Sequence, residues 1–162
     1  MCVTIYMNAP VRRSVPNGAT SSVTPEGRLP IREYQSGELA RIVFYERANG
    51  RCPARDFLEG LDSKMANKFK GPFDAIMKTG ADYCNQVRFK PLSGQGKPLW
   101  EFKEHDHRLF CHRRVVEQAV QIVLLSGWVK DKKGKGKEEE REIKRAKDLE
   151  REFLAEYPGG RI

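Results

Sequence analysis

Apolar and polar positions along the chain change period several times, and each change marks an element. Arg41 to Glu46 is β-branched and aromatic and predicts a strand. Asn49-Gly50 turns the chain, and Pro53 opens a short helix running to Leu61, because its missing N–H costs nothing in a first helical turn. Met65, Phe69, Phe73, Ile76 and Met77 recur at three- and four-residue steps and predict a second helix with one apolar face. Ser63 is its expected N-cap, Gly71-Pro72 are expected to kink or break it, and Gly80 to end it. Three strands follow, Leu99 to Lys103, Arg108 to Val116 and Ala119 to Val129. The last is apolar from Val120 to Leu125 except for Gln121, which predicts burial on both faces and a central place in the sheet. A charged helix from Lys137 to Tyr157 closes the pattern, with Ile143, Ala146, Leu149, Phe153, Leu154 and Tyr157 on its apolar face and Pro158-Gly159-Gly160 at its end.

This order predicts a small α+β domain, a mainly antiparallel sheet with two N-terminal helices packed on it and a C-terminal helix. Residues 1–38 read differently. They hold four of the nine prolines, with Tyr6 and Tyr34 as their only aromatics, and Ser14 to Gly27 is polar and turn-forming. A flexible extension is expected there, with only Val3 to Met7 suited to an edge strand. The expected organisation is therefore an extension over 1–38, a folded domain over 39–157 and a tail over 158–162.

With 162 residues and 39% hydrophobic content, the chain can bury one modest core. No apolar run approaches the roughly 18 residues of a membrane span, and the N-terminus lacks the basic start and apolar stretch of a signal peptide, so a cytoplasmic protein without a membrane partner is expected. Thirty basic residues against 22 acidic ones give a net charge of +8, with a pI near 9.4. Residues 1–38 carry four basic and three acidic side chains, so the basic field belongs to the folded part. Such a field favours polyanionic partners. Cys2, Cys52, Cys84 and Cys111 form no Cys-x-x-Cys pair, which excludes a zinc finger or thioredoxin-like motif; Cys111, in a strand pattern, is expected to be a small buried hydrophobe.

Candidate chemistry gathers on the last three strands. Lys103, Arg108, Arg113, Arg114, Lys130, Lys132 and Lys133 lie on or just beyond them. Alternation puts Arg108, Phe110, His112 and Arg114 in one side-chain series and Leu109 and Arg113 in the other. A phosphate cradle and a solvated basic face both fit this pattern. His105, His107 and His112 are the only histidines; they suit a metal site, acid–base work or an ordinary hairpin turn, where Asp106 is at home. The run Lys132-Lys133-Gly134-Lys135-Gly136-Lys137 lacks Walker spacing and predicts a basic loop, with Glu138 to Glu140 placed where a helix dipole favours them. Glu101 fits either a general base or a charge-balancing partner.

Several of these residues also carry a resemblance. Phe57-Leu58-x-x-Leu61, Lys90-Pro91-Leu92-x-Gly94, Leu99-Trp100-Glu101-Phe102-Lys103, Arg108-Leu109-Phe110, Ile122-Val123-Leu124-Leu125-x-Gly127-Trp128-x-Lys130 and Glu142-Ile143-x-x-Ala146 occur in that order. Over about residues 41 to 150 this resembles the phage-derived, HigB-like branch of the RelE/ParE toxin superfamily. The resemblance implies a RelE-like fold and the toxin of a type II toxin–antitoxin pair. Such a toxin cuts mRNA on the ribosome by 2′-hydroxyl attack, without metal or cofactor, and is neutralised by an antitoxin of helix-turn-helix type. Carried over by position, Arg108 is the phosphate stabiliser, Lys130 or Lys132 the phosphate ligand or base, and His105, His107 or His112 the acid. Lys103, His105, His107, Arg113, Arg114 and Lys133 are then expected on RNA. Lys103 replaces the family's usual arginine and loses its bidentate geometry. The Gly-Lys repeats and the extension also depart from the pattern. The superfamily includes gyrase poisons and inactive copies, so a non-catalytic inhibitor and an inactive nucleic-acid-binding relative stand as alternatives.

Overall fold

The apolar run from Val120 to Leu125 lies inside a six-stranded sheet, as its two-sided hydrophobicity requires. The computed structural model describes residues 31–80, 83, 87–92, 99–116, 118–130 and 136–157. Along the chain these form β1 (Ile31–Ser36), β2 (Ala40–Tyr45), α1 (Pro53–Glu59), α2 (Ser63–Thr79), β3 (Phe89–Pro91), β4 (Trp100–Glu104), β5 (His107–Val116), β6 (Ala119–Val129) and α3 (Lys137–Glu156). The sheet order is β1-β2-β6-β5-β4-β3. All neighbours are antiparallel except β2 and β6, which run parallel with Ile42 opposite Ile122. The fold is α+β, and no helix among the described residues is long and apolar enough to cross a membrane.

Strand alternation sorts the apolar side chains into two cores. Val120, Ile122 and Leu124 face one way, joined by Ile42, Phe102, Leu109 and Cys111, and are covered by Ala54 of α1 and by Phe69, Phe73 and Ile76 of α2. Val123 and Leu125 face the other way with Val43, Tyr45 and Phe110, and are covered by Ala146, Leu149 and Phe153 of α3. Cys111 is fully buried, and burial pushes its thiol well above the ordinary range. Leu154, expected on the apolar face of α3, is instead 37% exposed.

Four local expectations need correction. Among the described residues the sheet begins at Ile31, inside the stretch read as a flexible extension. β1 is a polar edge strand, and Tyr34 anchors it edge-on against Phe44 and Phe73, with centroids 5.2 and 5.6 Å away. The edge strand expected at Val3 to Met7 and the tail over 158–162 lie outside the described residues. β3, a three-residue strand, was not expected at all. The cap of α2 is Asp62, whose carboxylate accepts from the Met65 N–H at 2.8 Å, and Ser63 is the first helical residue. Finally, of the kink or break expected at Gly71-Pro72, the break does not occur: α2 runs from Ser63 to Thr79 through Pro72. The proline offers no N–H to the Lys68 carbonyl four residues before it. That carbonyl instead accepts from Arg88 Nη2 at 3.2 Å, and the Arg88 Nε donates to Glu104 at 2.5 Å. A side chain from beyond the helix thus supplies the bond the proline withholds. Gly80 ends α2 as expected, at φ +61°, where a Cβ would lie 3.1 Å from the Leu39 carbonyl oxygen.

Gly127 sets the distance between α1 and the sheet. A Cβ there would lie 2.0 Å from the Phe57 ring, so the ring rests directly on β6 backbone. Gly127→Ala is expected to cost about 1–3 kcal/mol, the usual penalty of overpacking, and less in a Phe57→Leu background. Thermal unfolding of the two singles and the double checks this. Arg88→Ala is expected to cost about 2 kcal/mol, because it strips donors from both Lys68 O and the buried Glu104. The loss should shrink when Pro72→Ala returns an N–H to the helix, as urea unfolding of the pair would show.

Candidate nucleic-acid interface

Antiparallel pairing places Lys103 of β4 opposite Arg108 of β5, and Arg108 opposite Trp128 of β6. Cross-strand partners share a face, and this face is the one that α3 covers, since Phe110 and Trp128 pack there. Lys130 follows β6 directly. Its N–H donates to the Asp106 carbonyl in the β4–β5 turn at 2.7 Å, and its ammonium reaches Glu139 Oε2 in the first turn of α3, also at 2.7 Å. β3 adds Lys90, paired with Glu101, with Nζ 3.6 Å from Glu101 Oε1. Arg108 Nε approaches Glu101 Oε2 at 3.6 Å. Four cations thus surround two carboxylates, leaving an excess of two positive charges.

The two carboxylates sit at different depths and respond oppositely. Glu101 is 4% exposed; burial raises its pKa, and Arg108, Lys90 and Lys103 only partly oppose this. Glu139 is held below the ordinary range, first by its hydrogen bond from Lys130 and then by the charges of Lys130, Arg108 and Lys103. The linkage signs follow. Stability from Glu139 is present above the unfolded carboxylate pKa and lost as pH falls through its folded value, whereas Glu101 favours the fold at low pH and loses that contribution as pH rises through its raised pKa. Arg108 is 7% exposed. Its Nη1 donates to the carbonyls of His105 at 2.6 Å and His107 at 3.0 Å, closing a turn in which His105 has φ +52°. Arg108 is therefore a fixed charge that also holds the hairpin.

The other expected site residues are dispersed. His112 and Arg114 share the α3 face but lie farther along β5. His112 is buried, with Nδ1 2.6 Å from Glu150 Oε1 of α3 and its ring beside Phe153. Arg114 donates to Gln121 Oε1 at 2.6 Å and lies over Phe153. Arg113 is on the opposite face, 5.0 Å above the Trp100 ring. His105 is exposed at the hairpin tip against Lys68 Nζ, and His107 lies beside Phe57. Lys132 and Lys133 lie outside the described residues. Among the described residues no three His, Cys, Asp or Glu side chains converge on a metal-sized site. Of the eight expected residues that are described, Lys103, Arg108 and Lys130 come together. Lys90 and the Lys130–Glu139 pair were missed: Lys90 sits on the unpredicted β3, and nothing in local spacing links Lys130 to a helix residue nine positions on.

Removing Arg108 leaves Glu101 buried beside lysines alone and takes a donor from two turn carbonyls. Arg108→Ala is expected to cost about 3 kcal/mol, and Arg108→Ala with Glu101→Gln to cost less, since the buried charge goes with its partner. Urea unfolding measures both, and the Glu101 pKa should rise further in the single variant.

No protein-family model matches the chain, and no curated protein matches it.

Proposed function

We propose that the chain is the toxin of a type II toxin–antitoxin pair with a RelE-like fold, a ribosome-dependent endoribonuclease acting in the cytoplasm and neutralised by a helix-turn-helix antitoxin. The observation that carries this reading is the convergence of Lys103, Arg108 and Lys130 at one end of the α3-covered sheet face. Two helices before β3 and one after β6, on opposite faces of a mainly antiparallel sheet, also suit it. RNA carries its own nucleophile. The 2′-hydroxyl loses its proton and attacks the adjacent phosphorus, the P–O5′ bond breaks, and the departing 5′-oxygen takes up a proton. Fixed cations stabilise the charge that grows on the phosphorane oxygens. Arg108 supplies a rigid charge behind the site, and Lys103 and Lys130 are the more accessible phosphate ligands. His112, beneath α3 and bonded to Glu150, is remote from this reaction end.

A second reading is favoured by the internal bonds of Arg108 and the burial of His112: the same basic face binds RNA or a host protein such as gyrase without cutting. Primer extension on a defined mRNA, with and without translating ribosomes, separates the two. Cuts that require ribosomes, reduced at least about tenfold in both Lys103→Ala and Lys130→Ala proteins of unchanged Tm, are the expected result. Intact mRNA in every lane, from folded protein, would sink the nuclease reading.

A further inference from the structure

The cation cluster already holds an anion. Glu139 Oε2 accepts from Lys130 at 2.7 Å and feels the charges of Arg108 and Lys103, the three cations assigned above to a phosphate. The cluster's two carboxylates differ in how readily they can leave. Glu101 and Arg108 have side chains 5% and 9% exposed, so their pair is part of the packed interior. Glu139 and Lys130 are 33% and 37% exposed, where solvent screens the attraction and an exchange of partners costs little. Glu139 also stands on a weakly fastened turn. It is the third residue of α3, whose N-cap is Gly136 at φ +24° with no side-chain cap bond. The first four N–H groups of a helix have no intrahelical acceptor, so opening that turn costs only the bonds its own carbonyls accept, such as Glu140 N–H to Gly136 O at 3.0 Å. Farther along, α3 stays pinned by His112 to Glu150, by Arg47 Nε to Glu152 at 2.9 Å and by buried Phe153.

We propose that the Glu139 carboxylate is the resident occupant of an anion seat formed by Lys103, Arg108 and Lys130, and that a phosphodiester of single-stranded RNA enters by displacing it. This rests on the RNA-cleaving reading and adds that the site is closed by its own helix. The occupant weakens binding in a particular way. RNA that takes Lys130 releases a counterion, but the freed Glu139 takes one up, so the wild-type protein shows one contact fewer in its salt dependence than its cations provide.

The test is fluorescence anisotropy of a labelled short single-stranded RNA with the full chain, as wild type, Glu139→Gln and Glu140→Gln, over a series of salt concentrations. Glu140 is exposed and adjacent, so its substitution removes the same charge without touching Lys130. Glu139→Gln is expected to tighten binding about three- to fivefold at low salt, the range of one exposed ion pair. It should also steepen the log–log salt slope by about 0.7, the value for one more phosphate on a single strand. Glu140→Gln should tighten binding less than about twofold and leave the slope unchanged. Equal gains in the two variants would make the effect one of long-range charge, and no gain in Glu139→Gln would make the pair an ordinary surface contact. Either overturns the seat while RNA binding by the wild type stands. If neither wild type nor Glu139→Gln binds at low salt, the seat is overturned for RNA, and cleavage on ribosomes decides the nuclease reading separately.

Discussion

The described elements are arranged around packing on both faces of β6. Ile122 and Leu124 need cover from α1 and α2, and Val123 and Leu125 need it from α3. Six β6 residues from Val120 to Leu125 are buried, at about 1.5–3 kcal/mol for each large apolar side chain removed from water. No surface ion pair among the described residues competes with that. Charged residues on β4 and β5 are consequently allowed only where the helical cover ends or where a partner is built in. The cluster of Lys103, Arg108 and Lys130 stands at the first kind of place, beside the start of α3. His112 stands at the second, and its partner Glu150 comes from the covering helix itself.

The same rule explains why cations that look alike in the sequence play unlike parts. Arg108 and Arg113 are five residues apart on one strand, so alternation sends them to opposite faces. Arg108 enters a polar cluster and closes the hairpin, while Arg113 lies on Trp100, where its value is cation–π attraction and stem packing. Charge count alone therefore overstates the interface. What remains after the strands have divided the set is small, fixed at its base by a pair below 10% exposure and adjustable at its rim by one about a third exposed.

Much of the architecture was legible in the amino-acid order. The central place of β6, the apolar face of α2, the strands β2, β4 and β5 and the extent of α3 all follow from sequence pattern, because each buries enough side chains to show its own signal. The features that escaped depend on residues far apart in the chain. β1 reads as polar because it is an edge, held by its ladder to β2 and by Tyr34, and β3 is too short to show any period. Pro72 argues locally for a broken helix, and only Arg88, whose partners are 20 and 16 residues away, removes the reason to break. The site fared alike: the basic residues were visible, but the carboxylates that divide them into fixed and exchangeable charges were not.

That division bears on how a helix as polar as α3 can be both cover and gate. Its apolar contacts are concentrated at Ala146, Leu149 and Phe153, in the middle and last turns, and its deepest polar bond, from Glu150 to His112, is there too. The first turn carries Glu138, Glu139 and Glu140 and lacks both a capping side chain and a fully buried residue. Local openings follow the distribution of buried contacts, so the two ends of one helix need not share a stability. Loosening the first turn exposes cations without uncovering Val123, Leu125 or Phe110. The core that makes β6 central is thus insulated from the movement that would admit a ligand, because what is buried and what can exchange lie on different turns of the same helix.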